Sequence, residues 1–284
     1  MGRKRKIITL VHSFHTKYCS PESLWKYICY YTLSCMYAKR SGFDIVLHTD
    51  DKGAEMLQYA PYDEVIISLN DIERPHELFF AYPKFKVLEL MDKGQIQIDG
   101  DVFLKKNTLN KVLDFKKYDC IVQSMEREYI KQPITSTVWE NSRNAWSLCK
   151  FPEWAERKNI YMFNTGVMGF NNDSLKSEYI DIYHQMAEEF KKNGKNIPSC
   201  PEIISEQQFL MFYTNLKNYS VKTVIPNGLY GLDANSYANE IGYQHVIGNE
   251  KEKKLKDCVI TINSIDKNMT KNLVIIKNKI FNNK

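Results

Sequence analysis

The stretch QIQIDGDVFL, residues 95–104, constrains the fold more than any other part of the sequence. Its first residues predict a buried strand, which ends at two carboxylates one residue apart, Asp99 and Asp101. In an open parallel sheet, ligands bind beyond the carboxyl ends of the strands. The apolar residues on both sides make two unpaired carboxylates costly without a counter-ion. A shared cation is therefore the interpretation we favour, and ordinary turn chemistry around Gly100 is the alternative.

The residues before this stretch predict alternating strands and helices. Ser20 supplies an N-cap and Pro21 occupies the first helical position, so a long helix is predicted from there to Gly42. The elements predicted up to the stretch are, in order, strand 6–12, helix 21–41, strand 43–50, a short helix at 53–59, strand 63–69 and helix 83–92. This βαβαβ order predicts a parallel sheet.

The residues after the stretch are less regular. They predict a strand over 159–170, helices over 173–194 and 205–216, and late strands over 221–226 (VKTVIP) and 257–262 (DCVITI). The segment 123–158 has little apolar periodicity and is interpreted as an insertion with Trp139, Trp146 and Trp154. It would shape an acceptor pocket, because aromatic faces stack on sugar rings, and a packing cap or an oligomer contact is the alternative. We predict one catalytic domain over 1–284, comprising a nucleotide-binding half (1–104), an acceptor and donor-sugar half (105–250) and a basic tail (251–284).

Composition excludes several classes of protein. The 284 residues are 43% hydrophobic and 26% charged, and no apolar run is long enough to span a bilayer. The seven cysteines are an odd number without a CxxC pair, which argues against a disulfide framework or a zinc site. We expect cytoplasmic residence, because the apolar run after the basic N-terminus is too short for a signal peptide.

Charge is unevenly distributed along the chain, whose net charge is +5. Residues 1–6 carry four positive charges, and residues 251–284 carry nine lysines against three acids, which leaves residues 7–250 with a net charge of −5. An acidic body argues against nucleic-acid binding. The basic tail predicts either a terminal helix with a solvated basic face or peripheral contact with the inner membrane face.

Four short motifs together resemble the GT-A nucleotide-sugar glycosyltransferases, in particular the branch containing glycogenin and bacterial lipopolysaccharide glycosyltransferases. DGDVFL is similar to the DxD motif, FNTGVMGF (163–170) to the FNxGV segment, HVIGNEK (245–251) to the HxxGxxK segment, and SEQQFL (205–210) to the acidic-Gln pair. The resemblance implies an α/β, Rossmann-like GT-A fold: a mixed, mainly parallel sheet flanked by helices. The chain departs from the branch after Lys251, where KEKK replaces the usual Pro-Trp, as in a divergent subfamily.

The resemblance also implies a metal site and a donor site. Asp99, Asp101 and His245 would hold a divalent cation, with Mn²⁺ favoured over Mg²⁺. Lys251 would meet the donor diphosphate as a point charge, although it also belongs to an ordinary basic run. The residues implied in donor binding are Asp50, Lys84, Asp99, Asn164, Gly166, Gly248 and Lys251.

The implied reaction moves a sugar from a nucleotide diphosphate, with UDP favoured, to a hydroxyl of a carbohydrate or glycolipid acceptor, in polysaccharide or glycoconjugate synthesis. Gln207 and Glu206 are the implied catalytic residues. Retention of the anomeric configuration is favoured if Gln207 lies beside the anomeric carbon. Inversion would need a carboxylate base such as Glu206 or Asp233.

Two other functions are compatible with parts of the sequence. A nucleotidyltransferase that makes nucleotide sugars also uses metal-binding acids, but a glycine-rich phosphate loop should follow the first strand, and VHSFHTKYCSPES contains no glycine. A carbohydrate-binding protein without catalysis would use the 13% aromatic residues as stacking surfaces. Binding alone does not require the Asp, His and Lys motifs together.

Overall fold

The structure is a computed structural model that describes residues 8–75, 79–127, 161–192, 202–248 and 250–282. The basic residues 1–6 and the tryptophans of 123–158 lie outside the described residues, so the predictions made for them stay predictions. The chain divides into two compact units. The first unit comprises 1–71, 95–114 and 230–284, and the second comprises 72–94 and 115–229.

Strands and helices alternate along the first part of the chain. The strands are β1 (Thr9–Phe14), β2 (Asp44–Thr49), β3 (Glu64–Ile67), β4 (Ile96–Ile98), β5 (Val102–Leu104), β6 (Cys120–Arg127), β7 (Tyr161–Phe170), β8 (Val221–Thr223) and β9 (Tyr243–His245). The helices are α1 (Pro21–Arg40), α2 (Asp51–Met56), α3 (Tyr82–Leu90), α4 (Leu109–Val112), α5 (Asp173–Lys192), α6 (Phe209–Leu216), α7 (Gly231–Ile241), α8 (Glu250–Ile265) and α9 (Lys267–Asn282). A π-helical segment, Ile203–Gln208, leads into α6.

In the first unit, four strands lie in the order β3-β2-β1-β4, and every neighbouring pair is parallel. Strands β5 and β9 form a separate antiparallel pair. Helix α1 begins where the sequence predicts, because the side chain of Ser20 accepts a hydrogen bond from the backbone N–H of Ser23 and Pro21 follows the cap. Its buried face includes Leu24 and Ile28.

In the second unit, β6 pairs with β7 in antiparallel fashion and with β8 in parallel. The register of β6 and β7 shifts between two pairs, since Val122 lies opposite Met168 whereas Ser124 lies opposite Asn164. Three residues of β7 therefore face one residue of β6, which is a bulge. The predicted α/β fold, a mixed, mainly parallel sheet flanked by helices, is confirmed: the neighbouring pairs of β3-β2-β1-β4 are all parallel, and the antiparallel pair of β6 with β7 makes the sheet mixed.

One predicted strand is wrong. Residues 257–262 (DCVITI) lie within helix α8. The run is rich in β-branched residues, but Cys258 and Ile262 are its buried positions and are four residues apart, which is helical spacing. Lysine and glutamate before the run favour the helix, and a short apolar run alone does not distinguish strand from helix.

The basic tail (251–284) forms two helices, most of α8 and all of α9, where one of the two predictions for it was a single terminal helix. In α9 the buried residues Met269, Leu273 and Ile276 recur at helical spacing and pack into the same core as Ile28 of α1. Much of the apolar pattern of the tail is thus explained by packing within the first unit. No helix among the described residues is long and apolar enough to cross a membrane. Peripheral membrane contact stays a prediction.

Candidate functional site

The two aspartates flank a tight turn between β4 and β5. The backbone N–H of Val102 donates to the carbonyl of Asp99 at 3.0 Å, which closes the turn around Gly100. A Cβ atom added at Gly100 would lie 2.2 Å from the ring of Tyr31, so a side chain cannot be placed there without moving the ring. The close approach of Tyr31 therefore explains the glycine between the two aspartates.

The pairing of β5 with β9 brings His245 to this turn. Val102 lies opposite His245 in the register, and the N–H of Val246 donates to the carbonyl of Asp101 at 3.1 Å. The Nε2 atom of His245 is 3.3 Å from Oδ1 of Asp101. One possible ligand atom from each of Asp99, Asp101 and His245 lies within 4.8 Å of the other two. The predicted metal-binding residues are thus brought together.

Lys251, in the first turn of α8, forms an ion pair with the other carboxylate oxygen of Asp101. Burial opposes ionisation of Asp101, but the hydrogen bond and charge of His245 and the charge of Lys251 outweigh it and lower its pKa to about 2. Burial also opposes the ammonium of Lys251, whose pKa is nevertheless raised, chiefly by Asp101. Gly248 precedes this helix with a φ of +58°, in the left-handed region.

The donor set fits a divalent cation. Two carboxylates and an imidazole are hard and borderline ligands of the kind that such ions accept. The ion pair with Lys251 indicates that Asp101 needs a positive partner in its buried position. The positions of Asp99, Asp101 and His245 are therefore compatible with binding of a divalent cation.

Asp50 has a different environment. Its Oδ1 atom accepts from the N–H of Gly53 at 2.7 Å, and its Oδ2 atom accepts from the N–H and hydroxyl of Thr16 at 2.9 and 2.8 Å. Both carboxylate oxygens are thus engaged in capping α2 and in holding the loop after β1. The predicted contact of Asp50 with a nucleotide stays a prediction.

In the second unit, Lys84 lies in a buried group of polar atoms. Its ammonium donates to the carbonyl of Thr165 at 2.7 Å and pairs with Oε1 of Glu206 at 2.8 Å. The hydroxyl of Thr165 donates to the same glutamate oxygen at 2.7 Å. The structure thus joins two sequence-predicted residues, Lys84 and Glu206, and adds Thr165, which the sequence analysis did not single out.

Asn164, Gly166 and Gln207 occupy irregular backbone in the second unit. Asn164 and Gly166 flank Thr165 at the bulge of β7, where the N–H of Gly166 donates to Oδ1 of Asn164 at 3.0 Å. The amide of Asn164 donates to Glu126 at 2.7 Å. Gln207 is half-buried in the π-helical segment. Bulges and π-helical turns recur at functional sites, and the predicted roles of these residues stay predictions.

Sequence reasoning missed Glu202, a buried acid next to this group. Its Oε1 atom accepts from the N–H of Ala81 at 2.8 Å, and the hydroxyl of Tyr183 lies 3.2 Å from both carboxylate oxygens. Burial, and after it the charge of Glu206, raises the pKa of Glu202 well above its ordinary value. The only feature of the sequence that points to Glu202 is its spacing of four residues from Glu206, and pairs of glutamates at this spacing are common on helices.

Replacing Glu202 with glutamine is expected to stabilise the protein at neutral pH. The folded state raises the pKa of Glu202, so its contribution to stability is present at low pH and is lost as the pH rises. A neutral amide of similar shape avoids that loss, and its advantage should widen from about pH 4 upward. Urea unfolding of both proteins at pH 4, 6 and 8 measures this. An equal difference at all three pH values would contradict it.

No curated protein matches the sequence of this chain. Among solved structures, the apo-form glycosyltransferase GlyE of Streptococcus pneumoniae TIGR4 is 14% identical with a TM-score of 0.38, covering 76% of this chain and 44% of its own. The galactosyltransferase LgtC, in complex with donor and acceptor sugar analogues, is 12% identical with a TM-score of 0.37, covering 76% of this chain and 73% of its own. The chain therefore spans less than half the length of GlyE.

One family model covers most of the chain. It is described as a family of unknown function (DUF6734) and matches residues 12–274, a range that includes every residue of the Asp99, Asp101, His245 and Lys251 group. The chain therefore belongs to the DUF6734 family.

Proposed function

We propose that the chain is a metal-dependent GT-A glycosyltransferase that moves a sugar from a UDP-sugar to an acceptor hydroxyl. The observation that carries this proposal is the meeting of Asp99, Asp101, His245 and Lys251 at one place in the first unit. These residues come from two separate sequence motifs, DGDVFL and HVIGNEK, in the order that the resemblance to glycosyltransferases requires. The pairing of β5 with β9 brings the separate motifs together.

In the proposed mechanism, Asp99, Asp101 and His245 would hold a divalent cation, and we favour Mn²⁺ over Mg²⁺ because an imidazole is among the ligands. Such a cation, when bound, offsets the negative charge that grows on the departing diphosphate as the anomeric bond breaks. Lys251 acts on the same charge. Its side chain is 30% exposed, so the ammonium that pairs with Asp101 is also accessible to the diphosphate of a bound donor.

The residues of the second unit are assigned by resemblance and supported by their surroundings. We assign Gln207 to the side of the donor sugar's anomeric carbon, and Asn164 and Gly166 to the floor of the sugar pocket. The carboxylate of Glu206 is already engaged by Lys84 and Thr165. That environment suits Glu206 for positioning the adjacent Gln207 better than for accepting a proton from an acceptor, and it favours retention over inversion.

Isothermal titration of UDP into the purified chain tests the donor site. We expect binding in the presence of Mn²⁺ and little or none when a chelator removes the metal. Metal-dependent hydrolysis of a UDP-sugar would then separate a transferase from a carbohydrate-binding protein. Binding of a different nucleoside diphosphate would revise the donor, and binding of none would leave the DGD sequence as a structural turn.

The acceptor and the cellular setting extend this proposal. The sequence resemblance supports a carbohydrate or glycolipid acceptor and a role in polysaccharide synthesis. The charge pattern supports cytoplasmic residence with peripheral membrane contact through α9. Replacing three exposed lysines of α9, Lys271, Lys277 and Lys279, with glutamine tests the membrane contact without removing the buried face of the helix. Unchanged co-sedimentation with anionic vesicles would remove the tail from the proposal.

A further inference from the structure

The cation site depends on a very short strand. β5 has only three residues, and its pairing with β9 is what places Asp101 beside His245. An isolated pair of such strands has little stability of its own. Contacts that hold β5 from outside the pair should therefore matter for the site.

Helix α1 supplies two such contacts through buried serines. The hydroxyl of Ser34 donates to the carbonyl of Val102 at 2.6 Å, and the hydroxyl of Ser41, which follows the helix, donates to the carbonyl of Leu104 at 2.7 Å. The two contacts are alike in chemistry and differ in position. Ser34 holds the residue next to Asp101 and opposite His245, whereas Ser41 holds the far end of β5.

Ser34 is itself oriented by a chain of hydrogen bonds. Its single hydroxyl proton goes to Val102, so it must accept from Nε2 of His12, which lies 3.1 Å away. The Nδ1 atom of His12 then accepts from the hydroxyl of Tyr62 at 2.7 Å. Burial lowers the pKa of His12 to about 3, so the ring remains neutral and keeps one proton. The three hydrogen bonds therefore all donate in the same direction, from the hydroxyl of Tyr62 through His12 and Ser34 to the carbonyl of Val102.

We propose that Ser34, oriented by His12 and Tyr62, is a positioning residue of the cation site. By holding the carbonyl of Val102 it fixes the register of β5 against β9 and, with it, the distance between Asp101 and His245. This inference deepens the proposed function and rests on it. A serine that served stability alone would act like Ser41, which holds the same strand without adjoining the ligands.

The test compares Ser34→Ala with Ser41→Ala in the full chain. Each variant removes one buried hydroxyl that donates to a carbonyl of β5, and Ser34→Ala also leaves the Nε2–H of His12 without its acceptor. Both variants should therefore lose thermal stability, and Ser34→Ala should lose more. Only Ser34→Ala should weaken Mn²⁺ binding, by about ten-fold, as loss of a group that supports metal ligands commonly does. The affinity is measured by titration with Mn²⁺ alone, and the electron paramagnetic resonance spectrum of the bound ion reports its surroundings.

Equal Mn²⁺ affinities and spectra in the two variants would overturn the inference and leave the proposed function intact. Absence of Mn²⁺ binding in the unaltered chain would overturn the proposed function, and this inference with it. If Ser34→Ala does not fold, Tyr62→Phe is tested instead. That substitution removes the hydroxyl that donates to His12 and keeps the aromatic ring. Weaker Mn²⁺ binding in Tyr62→Phe than in Ser41→Ala supports the proposal, and equal binding overturns it.

Discussion

Replacing Asp101 with asparagine is expected to abolish the Mn²⁺-dependent binding of UDP. Asp101 contacts both His245 and Lys251, and the amide keeps its shape while removing its charge. Loss of a direct ligand should exceed the roughly 100-fold effect that loss of a supporting group can have. Titration of UDP with Mn²⁺, and of Mn²⁺ alone, measures both parts of the site.

Asp63→Asn is the matched control for this variant. The carboxylate of Asp63 also belongs to the first unit, pairs with Lys39 and accepts from the N–H of Ile45 at 2.7 Å. It precedes β3 and therefore lies at the amino ends of the parallel strands, away from the edge where ligands bind. Both variants should lose stability, and only Asp101→Asn should lose binding. Normal Mn²⁺-dependent UDP binding by Asp101→Asn would exclude this group as the donor site.

The sequence predicts most of the fold because the main signals are local. An N-cap with proline identifies the start of α1, and short apolar runs identify β1, β2, β3 and β4. The error at 257–262 has the opposite cause, since the buried face of α8 is set by packing against α1 rather than by the apolar run itself. Local propensity is a weak guide where tertiary packing decides between helix and strand.

The candidate site is less predictable from residues alone. Gln95–Asp101 indicates a cation ligand, but nothing local shows that His245 lies beside it, because the pairing of β5 with β9 joins distant segments. The resemblance supplied that link. The supporting residues Ser34 and Glu202 carry no motif and become recognisable only through their hydrogen bonds in the folded chain.

Replacing Lys84 with methionine is expected to destabilise the chain by about 3–5 kcal/mol, the usual cost of removing one partner from a buried ion pair. The change leaves the buried carboxylate of Glu206 without the ammonium that lies 2.8 Å from it. Urea unfolding at pH 7 gives the difference in the free energy of unfolding.

Lys86→Met is the control, because Lys86 lies in the same helix and pairs with Glu89 at 3.0 Å on a partly exposed surface. Exposed pairs contribute roughly 1 kcal/mol or less, so this variant should unfold almost as the unaltered chain does. Similar losses in the two lysine variants would show that burial of the Lys84 pair has no energetic consequence.

The double variant Lys84→Met with Glu206→Met separates structure from catalysis. Removing both charges avoids an unpaired buried carboxylate, so the double variant should recover part of the stability that Lys84→Met loses. A purely structural Lys84–Glu206 pair would then allow sugar transfer to recover together with the fold. If Glu206 positions Gln207 for the donor, or Lys84 itself binds the donor, stability returns while transfer stays low. Parallel measurements of unfolding and of sugar release from the donor therefore decide whether this buried pair is only structural or belongs to the donor site.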